Sequence, residues 1–168
     1  MTFTEAKQEF DSKYENVAEF DCFIQEHLTF NKKTNFKKKN GTKNEQYYKW
    51  QFLYATIQSG LFTKDFIGTE IHFPKGNKSA APLKLDGAIF DDIIWFDKYK
   101  DYHENGNNES LEWLREHLIV ALEFKKEDNK NVADVWDKQL KAYLNESRRS
   151  FCLAVLYDTE RLYLFRKH

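Results

Sequence analysis

Seven consecutive residues, Leu118-Ile119-Val120-Ala121-Leu122-Glu123-Phe124, constrain this chain more than any other stretch. The run is short, dominated by large and β-branched apolar side chains, and apolar on both faces up to Glu123. That pattern belongs to a strand at the centre of a sheet covered on both sides. A covered sheet requires helices on both faces, so the expected architecture is α/β. Core material is plentiful: 168 residues include 15 Phe, 9 Tyr and 4 Trp, even though the mean hydropathy is -0.77. With 6 Gly and 2 Pro, the chain lacks the punctuation of a flexible linker or of a barrel built from many tight turns. One domain spanning 1–168 is expected.

Twenty-six basic side chains stand against 27 acidic ones, so the net charge of -1 offers no global attraction to nucleic acid or to an anionic membrane. Cys22 and Cys152 lie far apart and form no CxxC or Cys/His pattern, which excludes a disulfide framework and a zinc finger. No basic leader followed by an apolar core precedes the first helix, and no run approaches the length of a membrane span. A cytoplasmic protein with no membrane partner is the expectation.

Other elements follow from periodicity. Apolar residues from Phe3 through Phe10, Tyr14, Val17, Phe20 and Ile24 to Leu28 recur at three- and four-residue steps and predict one amphipathic helix over 3–28. Six lysines within 31–43 (Lys32, Lys33, Lys37, Lys38, Lys39 and Lys43) with no acid predict an exposed basic loop, either a solvated surface or a phosphate contact. A second helix is expected over 44–58, completing an N-terminal helical hairpin, with Gly60 ending it. The core then occupies 44–168. Strands are expected at 66–73 and 83–90 around a turn at 74–77, at 118–124, at 151–157 and at 161–165, with a last turn at 158–160. Helices are expected at 110–117 and 131–144. The stretch 91–106 is ambiguous, with Ile93, Ile94, Trp95 and Phe96 able to extend the sheet.

The chemistry begins where the central strand stops being apolar. Period-two geometry puts Glu123 and Lys125 on one side with Ile119 and Ala121, and Leu118, Val120, Leu122 and Phe124 on the other. A carboxylate and an ammonium projecting together from a covered sheet can hold a hard cation beside a reacting phosphate, or can be a strand-end ion pair. The same acid-x-Lys spacing occurs at Glu5-Ala6-Lys7, Asp11-Ser12-Lys13 and Asp128-Asn129-Lys130, but those three do not end a buried strand. In Leu83-Lys84-Leu85-Asp86-Gly87-Ala88-Ile89-Phe90, alternation puts Leu83, Leu85 and Ile89 on one face and Asp86, Ala88 and Phe90 on the other. Asp86 is then an acid inside an apolar strand, where an unpaired charge is costly, and Gly87 allows a close approach; the other reading of Asp-Gly is a hairpin turn. On the following helix Gln139 and Tyr143 stand four residues apart and reach the same part of the sheet.

Asp86, Glu123-x-Lys125 and Gln139-x-x-x-Tyr143, in that order on strand, strand and helix, resemble the PD-(D/E)xK nuclease superfamily. The branch with RecB-type nucleases and the N-terminal nuclease domains of type I restriction subunits is the most similar. The resemblance spans about residues 44–165. It implies a restriction-endonuclease-like mixed sheet of four to five strands flanked by helices. It further implies Mg²⁺, with Mn²⁺ as substitute, held by Asp86 and Glu123, and Lys125 orienting the hydrolytic water. Gln139 and Tyr143 would lie near the active site, positioning the lysine or the DNA backbone. An additional acid on the first core helix corresponds to Glu45, which also suits the positive end of a helix dipole. Leu85 replaces the family proline, and the stretch between Asp86 and Glu123 is long, so Asp91 or Asp92 becomes the ligand if the strand is shifted. The implied function is endonucleolytic cleavage of double-stranded DNA as the nuclease module of a restriction-modification enzyme, with motor, methyltransferase or target-recognition parts as partners. The alternatives are a transposon-end or repair nuclease, and a catalytically silent module of the same fold that binds nucleic acid or a partner protein.

Overall fold

A capping box starts the first helix: the Thr2 hydroxyl accepts from the Glu5 N–H, and the Glu5 carboxylate accepts from the Thr2 N–H. In the computed structural model, which describes residues 1–24, 33–36, 41–75, 81–125, 132–157 and 161–167, this helix is α1 (Phe3–Tyr14). The expected helix over 3–28 therefore ends early. Beyond Tyr14 the buried residues are Phe20, Cys22 and Ile24, alternating with exposed Glu19 and Asp21, so the spacing that looked helical continues as period two. Strand β1 (Glu19–Asp21) pairs antiparallel with β2 (Lys33–Asn35), Phe20 opposite Thr34. Part of the expected basic loop is thus a strand, and the adjoining Phe36 is fully buried. Lys32, Lys37, Lys38 and Lys39, and the turns expected at 74–77 and 158–160 except for Pro74 and Lys75, lie outside the described residues.

Asn44 caps α2 (Glu45–Gln58) by accepting from the Tyr47 N–H, and Gly60 beyond its end takes a φ of 75°. Every residue of α2 from Tyr47 to Thr56 is buried, because α1 packs on one side of it and the main sheet lies on the other. Phe10 of α1 meets Phe20, Phe36, Tyr47 and Tyr54 at ring separations of 5.2–6.3 Å, and truncating it to Ala removes roughly 3–5 kcal/mol. Asp11 accepts from the Tyr47 hydroxyl and the Gln51 amide, and Gln51 in turn accepts from Tyr157, tying α1 through α2 to the sheet.

That sheet has five strands, β3 (Ile67–Phe73), β4 (Leu83–Phe90), β5 (Leu118–Phe124), β6 (Leu153–Tyr157) and β7 (Leu162–Arg166), side by side in chain order. All neighbours are antiparallel except β5 and β6. The parallel step needs a crossover, supplied by α5 (Val132–Val135), a π-type turn (Trp136–Leu140) and α6 (Lys141–Glu146). Between β4 and β5, α3 (Trp95–Asn105) and α4 (Asn108–His117) form a helical pair. Residues 93–96 do not extend the sheet: Asp92 accepts from the Ile94 N–H and turns the chain, and the Trp95 ring stacks on Phe90 at 5.0 Å. The fold is a mixed sheet between an aromatic core under α1 and α2 and a second core under α3 to α6. Among the described residues no helix is long and apolar enough to cross a membrane.

Strict alternation fails in two places. Ile89 pairs with Val120 but Phe90 pairs with Leu118, leaving Ile119 as a bulge. Leu118 therefore joins Ala121 in the α3–α6 core, while Ile119 packs with Val120 on the α2 side, reversing the expected faces of both residues. In β4, Leu83 and Leu85 share the α3–α6 core with Ala88 and Phe90, leaving only Ile89 toward α2. The pleat breaks at Asp86-Gly87, opposite Glu70 of β3, whose φ is 52°.

Candidate active site

The backbone ladder between β4 and β5 runs as far as Gly87 opposite Leu122, and one more step of that register sets Asp86 against Glu123. At this step side chains take over from backbone partners. The Phe124 N–H donates to Asp86 Oδ2 at 2.8 Å, and the Lys84 carbonyl accepts from the Tyr143 hydroxyl at 2.7 Å. Glu123, only 2% exposed, lies at the end of the covered strand as its position in the sequence predicts. Lys125 Nζ donates to Glu123 Oε1 at 2.6 Å, and Tyr143 Oη lies 2.9 Å from Glu123 Oε2. The single Tyr143 hydrogen faces two acceptors, the Glu123 carboxylate and the Lys84 carbonyl, so it serves one of them at a time.

Charge couples these groups to α2. Burial raises the carboxyl of Asp86 to about 7, helped by the charge of Glu123 and opposed by the Phe124 N–H and Lys49. Burial also raises Glu123, against the attraction of Lys125 and the hydrogen bonds from Lys125 and Tyr143. Glu45, half-buried in the first turn of α2, is raised by burial and by Asp86 and is pulled down by Lys125 and Lys49. Burial depresses the Lys125 ammonium, but Glu123, Glu45 and Asp86 together outweigh it and leave the lysine raised. Four sequence-predicted residues, Glu45, Asp86, Glu123 and Lys125, thus form one electrostatic group, and Tyr143 is bonded into it.

The sixth position behaves differently. Gln139 sits half-buried on the π-type turn, whose wider winding changes its angular relation to Tyr143, and it has no hydrogen bond to Asp86, Glu123, Lys125 or Tyr143. Asp91 and Asp92 do not substitute for Asp86: they lie past the opposite end of β4, where Asp91 accepts from His117 and Arg149 and Asp92 from the Ile94 N–H. A cleft of about 320 Å³ between Phe23, Ile67 and Trp95 contains none of the site residues.

Two members escaped the sequence reading. Lys49, one turn after Glu45 and 1% exposed, donates to Glu70 Oε1 at 3.0 Å, and Glu70 stands opposite Asp86 between the pairs Thr69–Gly87 and Ile71–Leu85. The signals were available: a lysine inside the aromatic run Tyr47-Tyr48-Lys49-Trp50, and an acid inside a strand. Glu70 has a left-handed backbone, which costs roughly 1–2 kcal/mol for a residue with a Cβ.

The donor set of Asp86, Glu123 and Glu45 is all hard oxygen and fits Mg²⁺ or Mn²⁺ by type. Among the described residues no three His, Cys, Asp or Glu side chains already converge on one ion position. Both oxygens of Glu123 are engaged, by Lys125 and by Tyr143. Comparisons of the chain with protein-family models, with curated proteins and with solved structures find no match in any of the three.

Proposed function

We propose that this chain is a divalent-metal-dependent nuclease module of the PD-(D/E)xK type that hydrolyses phosphodiester bonds in DNA. The observation that carries the reading is the row of Asp86 against Glu123-x-Lys125 at the end of a covered sheet, with Glu45 close enough to raise Glu123 and to be raised in turn by Asp86. Asp86 and Glu123, with Glu45, are the residues that would hold Mg²⁺ or Mn²⁺. The cation supplies Lewis-acid polarisation of the scissile phosphate. Lys125 carries its positive charge beside Glu123 and stabilises negative charge developing on the phosphoryl oxygens. Tyr143 braces the site by donating its one hydrogen to the Glu123 carboxylate or to the Lys84 carbonyl. The basic segment that includes Lys37, Lys38 and Lys39 precedes in sequence the helix bearing Glu45, and its charge suits it to the DNA backbone. The sequence resemblance to type I restriction subunits supports a role in restriction-modification.

Calorimetric titration with Mn²⁺ and a plasmid-nicking assay test the reading together. Wild type is expected to bind the ion and nick DNA, and Glu123→Gln to lose both. Lys125→Ala loses nicking while binding the ion at least as tightly, because a neighbouring positive charge is gone. Nicking that persists in both purified variants overturns the assignment. A silent module of the same fold is the second reading, favoured by the two oxygens of Glu123 facing partners within the chain, Lys125 and the shared Tyr143 hydroxyl. It predicts no Mn²⁺ binding by wild type at millimolar concentration.

A further inference from the structure

We propose that Lys49 and Glu70 are positioning residues of this site: the buried ammonium holds Glu70 in its left-handed backbone conformation, and the resulting break in the pleat aims Asp86 at the Phe124 amide beside Glu123. The proposal takes the site from the nuclease reading but does not depend on cleavage for its first test.

Side chains of a regular pleat stand perpendicular to the sheet, whereas the N–H groups that join neighbouring strands lie in its plane. A carboxylate on β4 therefore reaches a backbone N–H of β5 only if the pleat is disturbed at its own position. Asp86 does reach the Phe124 N–H, at 2.8 Å. The disturbance is visible on both strands of the β3–β4 pair. Ile67 packs in the α2 core but Ile71 and Phe73 pack in the other, although all three have the same parity, and in β4 the same reversal separates Leu85 from Ala88. Both reversals fall on the row shared by Glu70 and Asp86.

Nothing local in the sequence asks for this. Thr69 and Ile71 favour extended backbone, and glutamate is not among the residues that readily take positive φ. Glu70 is nevertheless the one non-glycine residue with positive φ among the described residues. The force comes from outside the strand. Lys49 is 1% exposed, and its Nζ lies 5.7 Å from the Trp50 ring and 3.0 Å from Glu70 Oε1. A buried ammonium 3.0 Å from a carboxylate holds that partner firmly, since separating the two charges in a buried site is costly. Glu70 thus trades an unfavourable φ for an ion pair with α2, and the helix that bears Glu45 sets the direction of Asp86.

Replacing Glu70 by Gly and by Ala separates the two effects, because both remove the ion pair but only glycine adopts positive φ freely. The readout is native-state hydrogen exchange at the Phe124 amide, referenced to the Val155 amide of β6. Expected is protection within about threefold of wild type in Glu70→Gly, and a loss of at least tenfold in Glu70→Ala and in Lys49→Met. Calorimetry with Mn²⁺ alone should show affinity weakened about tenfold in Glu70→Ala relative to Glu70→Gly. Equal exchange in the Gly and Ala variants overturns the proposal, whether both match wild type or both lose protection. Glu70 is half-buried, so its two variants decide the matter even if Lys49→Met fails to fold. If the exchange contrast appears while wild type binds no Mn²⁺ and cuts no DNA, the positioning role stands and the nuclease reading falls.

Discussion

Strand β4 carries one aspartate mid-strand, just where its pairing with β5 stops, and another follows just past its last residue, and both sit beside basic side chains. Asp91, the first residue after the strand, accepts from His117 Nδ1 at 2.5 Å and from Arg149, and His117 stacks on Trp113 at 3.8 Å. These side chains are about a third exposed, at 29% for His117, 30% for Asp91 and 40% for Arg149, and one acid meets two bases. Around Asp86, Glu45, Glu70, Asp86 and Glu123 share the two ammonium groups of Lys49 and Lys125, with Glu123 and Lys49 buried. An acid close to a base is common to both places. What separates them is the excess of buried negative charge, which a satisfied surface pair lacks and which a cation relieves.

The sharpest way to break this contrast is to neutralise each aspartate in turn. Asp86→Asn is expected to lower Mn²⁺-supported plasmid nicking by roughly a thousandfold, and Asp91→Asn by less than about twofold. Comparable losses at both positions would erase the distinction.

Stability without metal gives the next largest effect, and its sign follows from the raised carboxyl. Asp86 keeps its proton to about 7 in the folded chain, against an ordinary value of 3.8, so the folded state binds the extra proton between these limits. The stability linked to that proton is complete below about pH 4 and is lost as the pH climbs through 7. Asp86→Asn should therefore make the metal-free protein more stable than wild type at pH 8, on the order of 1–3 kcal/mol by urea denaturation, with little difference at pH 4. A variant that is less stable at pH 8 would show that the carboxylate is not under strain there.

Tyr143→Phe probes how the site is braced. It strips the hydroxyl from Glu123 and from the Lys84 carbonyl, with an expected cost of about 1–2 kcal/mol in stability and roughly tenfold in nicking. Just past the end of β4, Arg149→Ala should cost about 0.5 kcal/mol or less, shrinking further in 1 M salt, as for an exposed ion pair. A larger cost would move that end toward the behaviour of the Asp86 site.

Much of this organisation was legible in residue order. The alternating and continuous apolar runs marked β4 and β5 with the limits they have, and a charged pair at the end of a covered strand marked Glu123 and Lys125. The acid-x-Lys pair at Asp11 and Lys13 shows why spacing was a weaker guide. Asp11 turns to Tyr47 and Gln51, while Lys13 bonds Glu9 and Tyr54, so a helical surface uses the same pattern for packing. The segment after Tyr14 misled for a related reason, because large apolar residues at Phe20 and Ile24, four apart, satisfy a helical period and an alternating one over so short a span.

Side-chain periodicity is a local property, and it was enough to determine the α/β class, the central strand and the identity of the charged pair at its end. Which residues face those charges was decided by contacts between elements far apart in the chain. The bulge at Ile119 reverses two side chains, and the pair of Lys49 with Glu70 breaks the pleat beside Asp86. Each of these depends on a register or an ion pair that exists only once α2, β3, β4 and β5 have packed together, and no window of neighbouring residues contains that information.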